Sequence, residues 1–492
     1  HEICKANLNS PLPKRVLDLG DSHDQRVRLY LSQGETERYA SLTHCWGTQS
    51  LPRTLFANIE SYETDIPWGD LPLTYQHAIS FTRKMNIRYL WIDSLCIIQD
   101  SEEDWRQEAS KMASIYKGAY LTLSATWSAE SNEGLFTTVP ANLKKTYQIG
   151  FSTPPDQPQD LYARIYLTHL ESGRALQRER LPVFTRGWVL QERLLSKRVL
   201  FFGREELYWE CLNGTSCECS GVVTEDSGTP YFSTQSKLYH GSARWKSLAP
   251  EKLAGRWHEL VEEYTGLQLS HERDIFPAIS GLAKEFNLVK QSPYYAGLWG
   301  NSLLIDLLWR SDMSYNDEWP CRPKKYRAPS WSWASLKGLI RYVVLWALTD
   351  TCQVLNVHCS LAGPEPTGEV TSGHITLRGL MVISKLRYRK TDSELLPINL
   401  YDLELLTTPK RAGNCFADYN HPLEENEGSN FMMTVYCFMI GRKIPGETVY
   451  YLMLKRIDED AGIGCQVYER IGLLELFSGF EVEGEEFDIK IV

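Results

Sequence analysis

Tyr39-Ala-Ser-Leu-Thr-His-Cys45, Arg88-Tyr-Leu-Trp-Ile92 and Ala119-Tyr-Leu-Thr-Leu-Ser-Ala125 are three short runs of strand character, and two stretches of helical period separate them. Thr74 to Asn86 carries Ala78, Ile79, Phe81, Thr82 and Met85 at helical spacing behind Pro72. Ser101 and Asp104 form a capping-box pattern that opens a helix with Trp105, Met112, Ile115 and Tyr116 on one face. The apolar run Arg88 to Ile92 suits a strand buried on both sides. Strand, helix, strand, helix, strand at this spacing implies right-handed crossovers and a parallel sheet. In such a sheet ligands bind beyond the carboxyl ends of the strands. Thr43 to Gly47 and Asp93 to Asp100 occupy those ends, and both are rich in reactive side chains.

Working outward, residues 126–180 read as a loop-rich insertion, with Thr153-Pro-Pro-Asp-Gln-Pro158 as a turn region. Order returns with Arg186 to Leu195 as a helix and with Val199 to Gly203 and Glu206 to Glu210 as strands. Ala243 to Leu308 is read as helical. From Ser330 the period shifts towards two, with strand candidates at His374 to Gly379, Phe431 to Cys437 and Val449 to Leu454. The run Ser330-Trp-Ser-Trp-Ala334 is read as one strand face covering a domain interface. The division expected is an α/β domain over 1–215, a helical middle segment over 216–325 and a β-rich region over 326–492. A length of 492 residues accommodates about three domains.

The formal charge is −10 and there is no basic tail, which argues against nucleic acid or an anionic membrane as the main partner. No apolar run is long enough to span a bilayer; Gly338 to Leu348 comes nearest, and Arg341 interrupts it. His1-Glu-Ile-Cys4 has no basic region followed by an apolar one, so no secretory signal is expected. Twelve cysteines without a disulfide rhythm read as free thiols of a reducing compartment, and a cytoplasmic location is expected. Cys211, Cys217, Cys219 and His240 do not have zinc-ribbon spacing, so no metal is assigned. There is no Walker-type loop, no Gly-x-Ser-x-Gly and no repeat of sensor-array period.

Three motifs carry a family resemblance. Tyr39 to Gly47 resembles the first signature of fungal heterokaryon-incompatibility (HET) proteins. Tyr89 to Asp100, followed by Asp104, Trp105, Glu108, Met112 and Tyr116, resembles the second. Arg186-Gly-Trp-Val-Leu-Gln-Glu-Arg-Leu-Leu-Ser196, ending in Trp209-Glu-Cys211, resembles the third. Ala296 to Trp299 and Ala328 to Ser335 are similar to segments that follow such domains. The resemblance implies a role in non-self recognition and cell death. It also implies a remote likeness to Toll/interleukin-receptor (TIR) domains, some of which hydrolyse NAD with a glutamate. The fold expected is therefore α/β, a parallel sheet of TIR-like or flavodoxin-like order with insertions, followed by the helical and β-rich parts.

Each candidate residue has a functional and a structural reading. Cys45 or Cys96 is a nucleophile with His44 as base, or both are small buried hydrophobes. His44 and Cys45, being adjacent on an extended segment, point to opposite sides. Asp93 is a general base at a strand end, or a cap for the turn after it. Glu192 acts on a ribosyl hydroxyl as a TIR-like glutamate would, with Trp188 stacking a base and Gln191 beside it. Its structural reading is an ion pair with Arg186, Arg193 or Arg198. Trp46 with Gly47 is a pocket wall, or a packed turn in which glycine supplies positive φ.

Three functions are weighed: an effector that hydrolyses NAD or a related nucleotide, a stand-alone enzyme of fungal secondary metabolism, and a non-catalytic interaction module. A small-molecule or nucleotide ligand, a protein partner in recognition and an oligomer are all compatible with the sequence. NAD enters as substrate, and no cofactor is assigned.

Overall fold

The computed structural model describes residues 9–20, 26–48, 51–139, 146–152, 159–164, 181–218, 245–312, 320–343, 347–349, 351–388, 401–403, 413–419, 432–444, 448–457, 466–477 and 484–492. The chain divides into two compact units, His1–Arg244 and Trp245–Val492.

The first unit is built on an eight-stranded mixed sheet. Its strands are β1 (Arg15–Asp18), β2 (Arg28–Leu31), β3 (Tyr39–Thr43), β4 (Tyr89–Trp91), β5 (Leu121–Ser124), β6 (Arg198–Phe202), β7 (Leu207–Cys211) and β8 (Gly214–Cys217). They lie in the order β8-β7-β6-β5-β3-β4-β1-β2. The expected parallel pairing holds for β4-β3-β5-β6. Both flanks are antiparallel, which corrects the expectation of a parallel sheet. At one flank the reason is connection length: β6 to β7 and β7 to β8 are joined by tight turns, and such links permit only antiparallel neighbours.

Helix α1 (Leu73–Lys84) follows Pro72 and buries Tyr75, Ala78 and Ile79. It carries the chain from β3 to β4. One helical turn, α2 (Asp93–Cys96), follows β4 directly. Helix α3 (Glu102–Gly118) then crosses to β5, with the Ser101 hydroxyl accepting from Asp104 N–H as expected of the cap. Because β4 and β5 lie on opposite sides of β3, right-handed crossovers put α1 and α3 on opposite faces. Helix α4 (Gly187–Leu195) packs on α3, with the Trp105 and Trp188 rings edge-to-face at 6.5 Å. Leu90, Trp91 and Ile92 are fully buried, and a side chain of this kind gains roughly 1.5–3 kcal/mol on leaving water. Within the expected insertion the described residues include a hairpin of Thr146–Ser152 and Gln159–Arg164; the Thr153 to Pro158 turn lies outside the described residues.

In the second unit, α5 (Pro250–Thr265) and α6 (Pro277–Lys290) each open on a proline, where the missing N–H costs nothing. The expected helical stretch is interrupted by a hairpin of Tyr294–Tyr295 and Leu298–Trp299, turned through Ala296 and Gly297 at φ 44° and 98°. The sheet that follows contains β9 (Ala347–Thr349), β10 (Gln353–Leu361), β11 (Val370–Tyr388), β12 (Met432–Ile444), β13 (Val449–Arg456), β14 (Gln466–Leu476) and β15 (Glu485–Ile491). The 19-residue β11 pairs with β15 through Ile375 to Met381 and with β12 through Met381 to Arg387. That double pairing closes β11-β12-β13-β14-β15 into a ring. Leu386, Cys437, Met453, Ile471 and Leu474 form part of one core cluster there.

Ser330 to Ala334 is not a strand. The Ser332 hydroxyl captures the Ala334 amide and starts a 3-10 turn over Trp333–Ser335, the local competition by which serine diverts backbone from a ladder. Trp331 and Trp333 are both fully buried.

Candidate functional site

Segments from three parts of the chain meet at the carboxyl end of β3. Immediately after Thr43 come His44, buried, and Cys45 and Trp46, both half-buried. Gly47 follows at φ 72°. A Cβ there would collide with the Glu130 carboxylate, which accepts from Thr48 N–H at 3.0 Å. Glycine is required both by the backbone and by this close approach.

Asp93 opens α2 and does two things. Its Oδ1 accepts from Ser94 N–H at 2.8 Å, the expected turn cap, while Oδ2 accepts from Trp46 Nε1 at 2.9 Å. Its side chain keeps 15% exposure, so it is the acid of the group that solvent reaches. His44 Nδ1 lies 4.0 Å from Asp93 Oδ1, and its Nε2 is 2.9 Å from the Tyr75 hydroxyl. Tyr75 in turn is 2.7 Å from Ser94 Oγ. Burial lowers the His44 pKa to about 4, outweighing the pull of Asp93 in the other direction. The imidazole is thus neutral at neutral pH.

Arg186 precedes α4 at its N-cap and donates to the His44 carbonyl. From that position, outside the helix, its charge acts on Glu192, six residues on. Glu192 is 2% exposed. Burial raises its pKa to about 7; Arg186 and the Thr43 hydroxyl oppose this, Asp93 adds to it, and the Tyr116 hydroxyl opposes it again. Glu192 Oε2 has no hydrogen-bond partner among the described residues. The alternative cations are engaged elsewhere: Arg193 pairs with Glu210 at 2.8 Å, and Arg198 donates to the Tyr120 carbonyl.

The remaining candidates differ in their surroundings, and of the two cysteines only Cys45 lies in the field of both Arg186 and Glu192. Cys96 sits in the core with its Sγ 3.5 Å from the Ile92 amide, and burial pushes its thiol up to about 12. Burial pushes the Cys45 thiol up to about 11. At both positions burial favours the thiol over the thiolate that a nucleophile needs. Trp188 packs on Trp105, and Gln191 is buried. Cys211 is buried and Cys217 half-buried; Cys219 and His240 lie outside the described residues.

Sequence reasoning overlooked Tyr75, Ser94 and a row of buried hydroxyls beneath Glu192. Ser41 Oγ lies 2.8 Å from Thr122 Oγ1, which lies 2.7 Å from Ser196 Oγ, which donates to the Glu192 carbonyl at 2.5 Å. The signal was present as alternation: Ser41 and Thr43 on β3 stand opposite Thr122 and Ser124 on β5. A strand pair buried on both faces seldom gives one face to hydroxyls.

Residues 39–192 match the family model described as heterokaryon incompatibility protein (HET). This segment is a HET domain. The match begins on the first residue of β3 and ends on Glu192, so all ten candidate residues lie inside it. The HET family implies a fungal origin and a heterokaryon-incompatibility protein. No curated protein and no solved structure matches the chain.

Proposed function

We propose that this HET domain is a cytosolic effector of fungal non-self recognition and cell death. In this reading the carboxyl edge of β3 takes a nucleotide of the NAD class and the domain hydrolyses its glycosidic bond. The observation that carries it is Glu192: a buried carboxyl with one oxygen unpartnered among the described residues, beside the Arg186 cation, held near pH 7 where it can take a proton. The order β4-β3-β5-β6, second-first-third-fourth along the chain, supports a flavodoxin-like connection. That order puts the topological switch between β3 and β5, where His44 emerges.

In the proposed step the C1′–N bond breaks with its electron pair passing to the nicotinamide nitrogen. Water oxygen bonds to C1′, and the water proton passes to the Glu192 carboxylate. Arg186 faces the anionic part of the ligand, and Asp93 orients a ribosyl hydroxyl from the solvent side. Incubation with NAD and chromatography of released nicotinamide tests this. Glu192→Gln should lower release by about 100-fold. Absence of release from the unmodified protein at any concentration overturns the reading.

One observation favours a second reading, a non-catalytic module. His44 and Glu192 are only 1% and 2% exposed, as residues that hold motifs together would be. Under it, Asp93→Asn and Glu192→Gln leave partner binding and cell death in a fungal host unchanged.

A further inference from the structure

The second unit carries a cleft of about 480 Å³, within the range of small-ligand sites. Arg322 and Tyr326 line it before the sheet, His374 comes from β11, Ile457 follows β13, Glu469 comes from β14 and Lys490 from β15. Strand alternation explains why charge collects there. Ile375 and Leu377 on β11, with Ile489 and Ile491 on β15, are fully buried, which turns His374 and Lys490 outward from the ring.

Three features set this cleft apart from an ordinary solvated surface. First, its one acidic side chain is already neutralised, since Glu469 meets Arg322 at 2.8 Å and Arg322 also donates to the Arg470 carbonyl. Second, Lys490 is half-buried and has no ion-pair partner among the described residues, on a chain whose net charge is −10. A partly desolvated, unpaired cation is costly to keep. Third, Tyr326 and Ile457, which line the same cleft, hold 56% and 50% of their surface in water. The floor is tight as well: a Cβ at Gly373 would come within 2.6 Å of Pro329 Cγ.

A cation with no ion-pair partner among the described residues, in a cleft that two exposed apolar side chains also line, is complementary to an anion carried on an apolar body. We propose that this cleft binds a small organic anion, a carboxylate or phosphate monoester with an apolar body, through Lys490. Tyr326 and Ile457 cover the apolar body, and the exposed Ser372 hydroxyl lies within reach of the head group. His374 completes the rim; burial, then Lys490 and His358, hold its pKa below the ordinary value. It therefore meets the head group as a neutral ring at neutral pH.

Calorimetric titration of the full chain with benzoate, phenyl phosphate and the neutral benzamide tests the assignment. At least one anion should bind saturably, and at least about tenfold more tightly than benzamide; which anion does so identifies the head group. Lys490→Gln should weaken that binding about tenfold, while Lys385→Gln, on an exposed position of β11, leaves it unchanged. The proposal is overturned if neither anion saturates, if benzamide binds as well, or if Lys490→Gln binds like the unmodified chain. A thermal melt of Lys490→Gln that matches the parent shows that any loss is one of binding.

Discussion

His44 and Glu192 make opposite demands on proton concentration, and the pair has a measurable signature. Glu192 titrates at about 7 in the folded chain against an ordinary 4.5. Between those values the folded state holds the extra proton, so stability falls as pH rises through the window. His44 titrates at about 4 against an ordinary 6.5. There the unfolded state holds the extra proton, so stability rises with pH up to 6.5. Each group is worth on the order of 3 kcal/mol across its window, and from about pH 4.5 to 6.5 the two slopes nearly cancel. Glu192→Gln should therefore unmask a positive slope of stability with pH, and His44→Gln a negative one. Urea unfolding at pH 4.5, 5.5 and 6.5 reads both. Parallel curves for the parent and Glu192→Gln would mean that the carboxyl is not held in its raised state. None of this was visible in the sequence, which offered Arg186, Arg193 and Arg198 as partners of Glu192 and could not say that Arg186 stands outside α4.

At the scale of elements, α2 owes its place to residues far away in the chain. Asp104, 7% exposed, accepts from Arg15 Nη2, from Lys14 Nζ at 2.9 Å and from Ile98 N–H at 2.9 Å. Arg15 Nε in turn holds the Cys96 carbonyl at 2.7 Å, the last residue of the turn that begins with Asp93. Burial alone would raise the Asp104 pKa; Arg15, Ile98 N–H and Lys14 outweigh it and bring it to about 2. The capping box was legible from Ser101 and Asp104, yet only its first half forms, because the Asp104 carboxylate is taken by Arg15 at a separation of 89 residues. Local pattern sees a cap and cannot see a clamp. Asp104→Asn should cost about 3 kcal/mol by leaving Arg15 buried and uncompensated. Arg15→Met combined with Asp104→Leu should recover most of that loss. Chemical denaturation of both variants decides it: a loss below about 1 kcal/mol in Asp104→Asn would show that the cluster does not hold the segment.

Across the whole molecule, local periodicity gave the central elements and missed closure. The runs at Tyr39, Arg88 and Ala119 became β3, β4 and β5 because each is apolar enough to be buried on both faces. The pairing of β1 with β4 and the ring of the second unit depend on which distant strands meet, and periodicity is silent about that. β11 shows the point: His374 to Gly379 was legible as a strand, but not that β11 changes partner near Met381. Gly379 lies just before the change, and a Cβ there would stand 2.8 Å from Cys352 Cβ and 3.1 Å from Phe438 Cζ. Gly379→Ala should overpack this junction at a cost of about 1–3 kcal/mol. Hydrogen exchange read by mass spectrometry localises the effect. Peptides covering 375–381 and 485–491 should lose protection, while those covering 39–43 and 121–124 keep theirs, since each unit has its own core. Equal loss in all four would show that the two units open as one, and the boundary between Arg244 and Trp245 would then carry no energetic meaning.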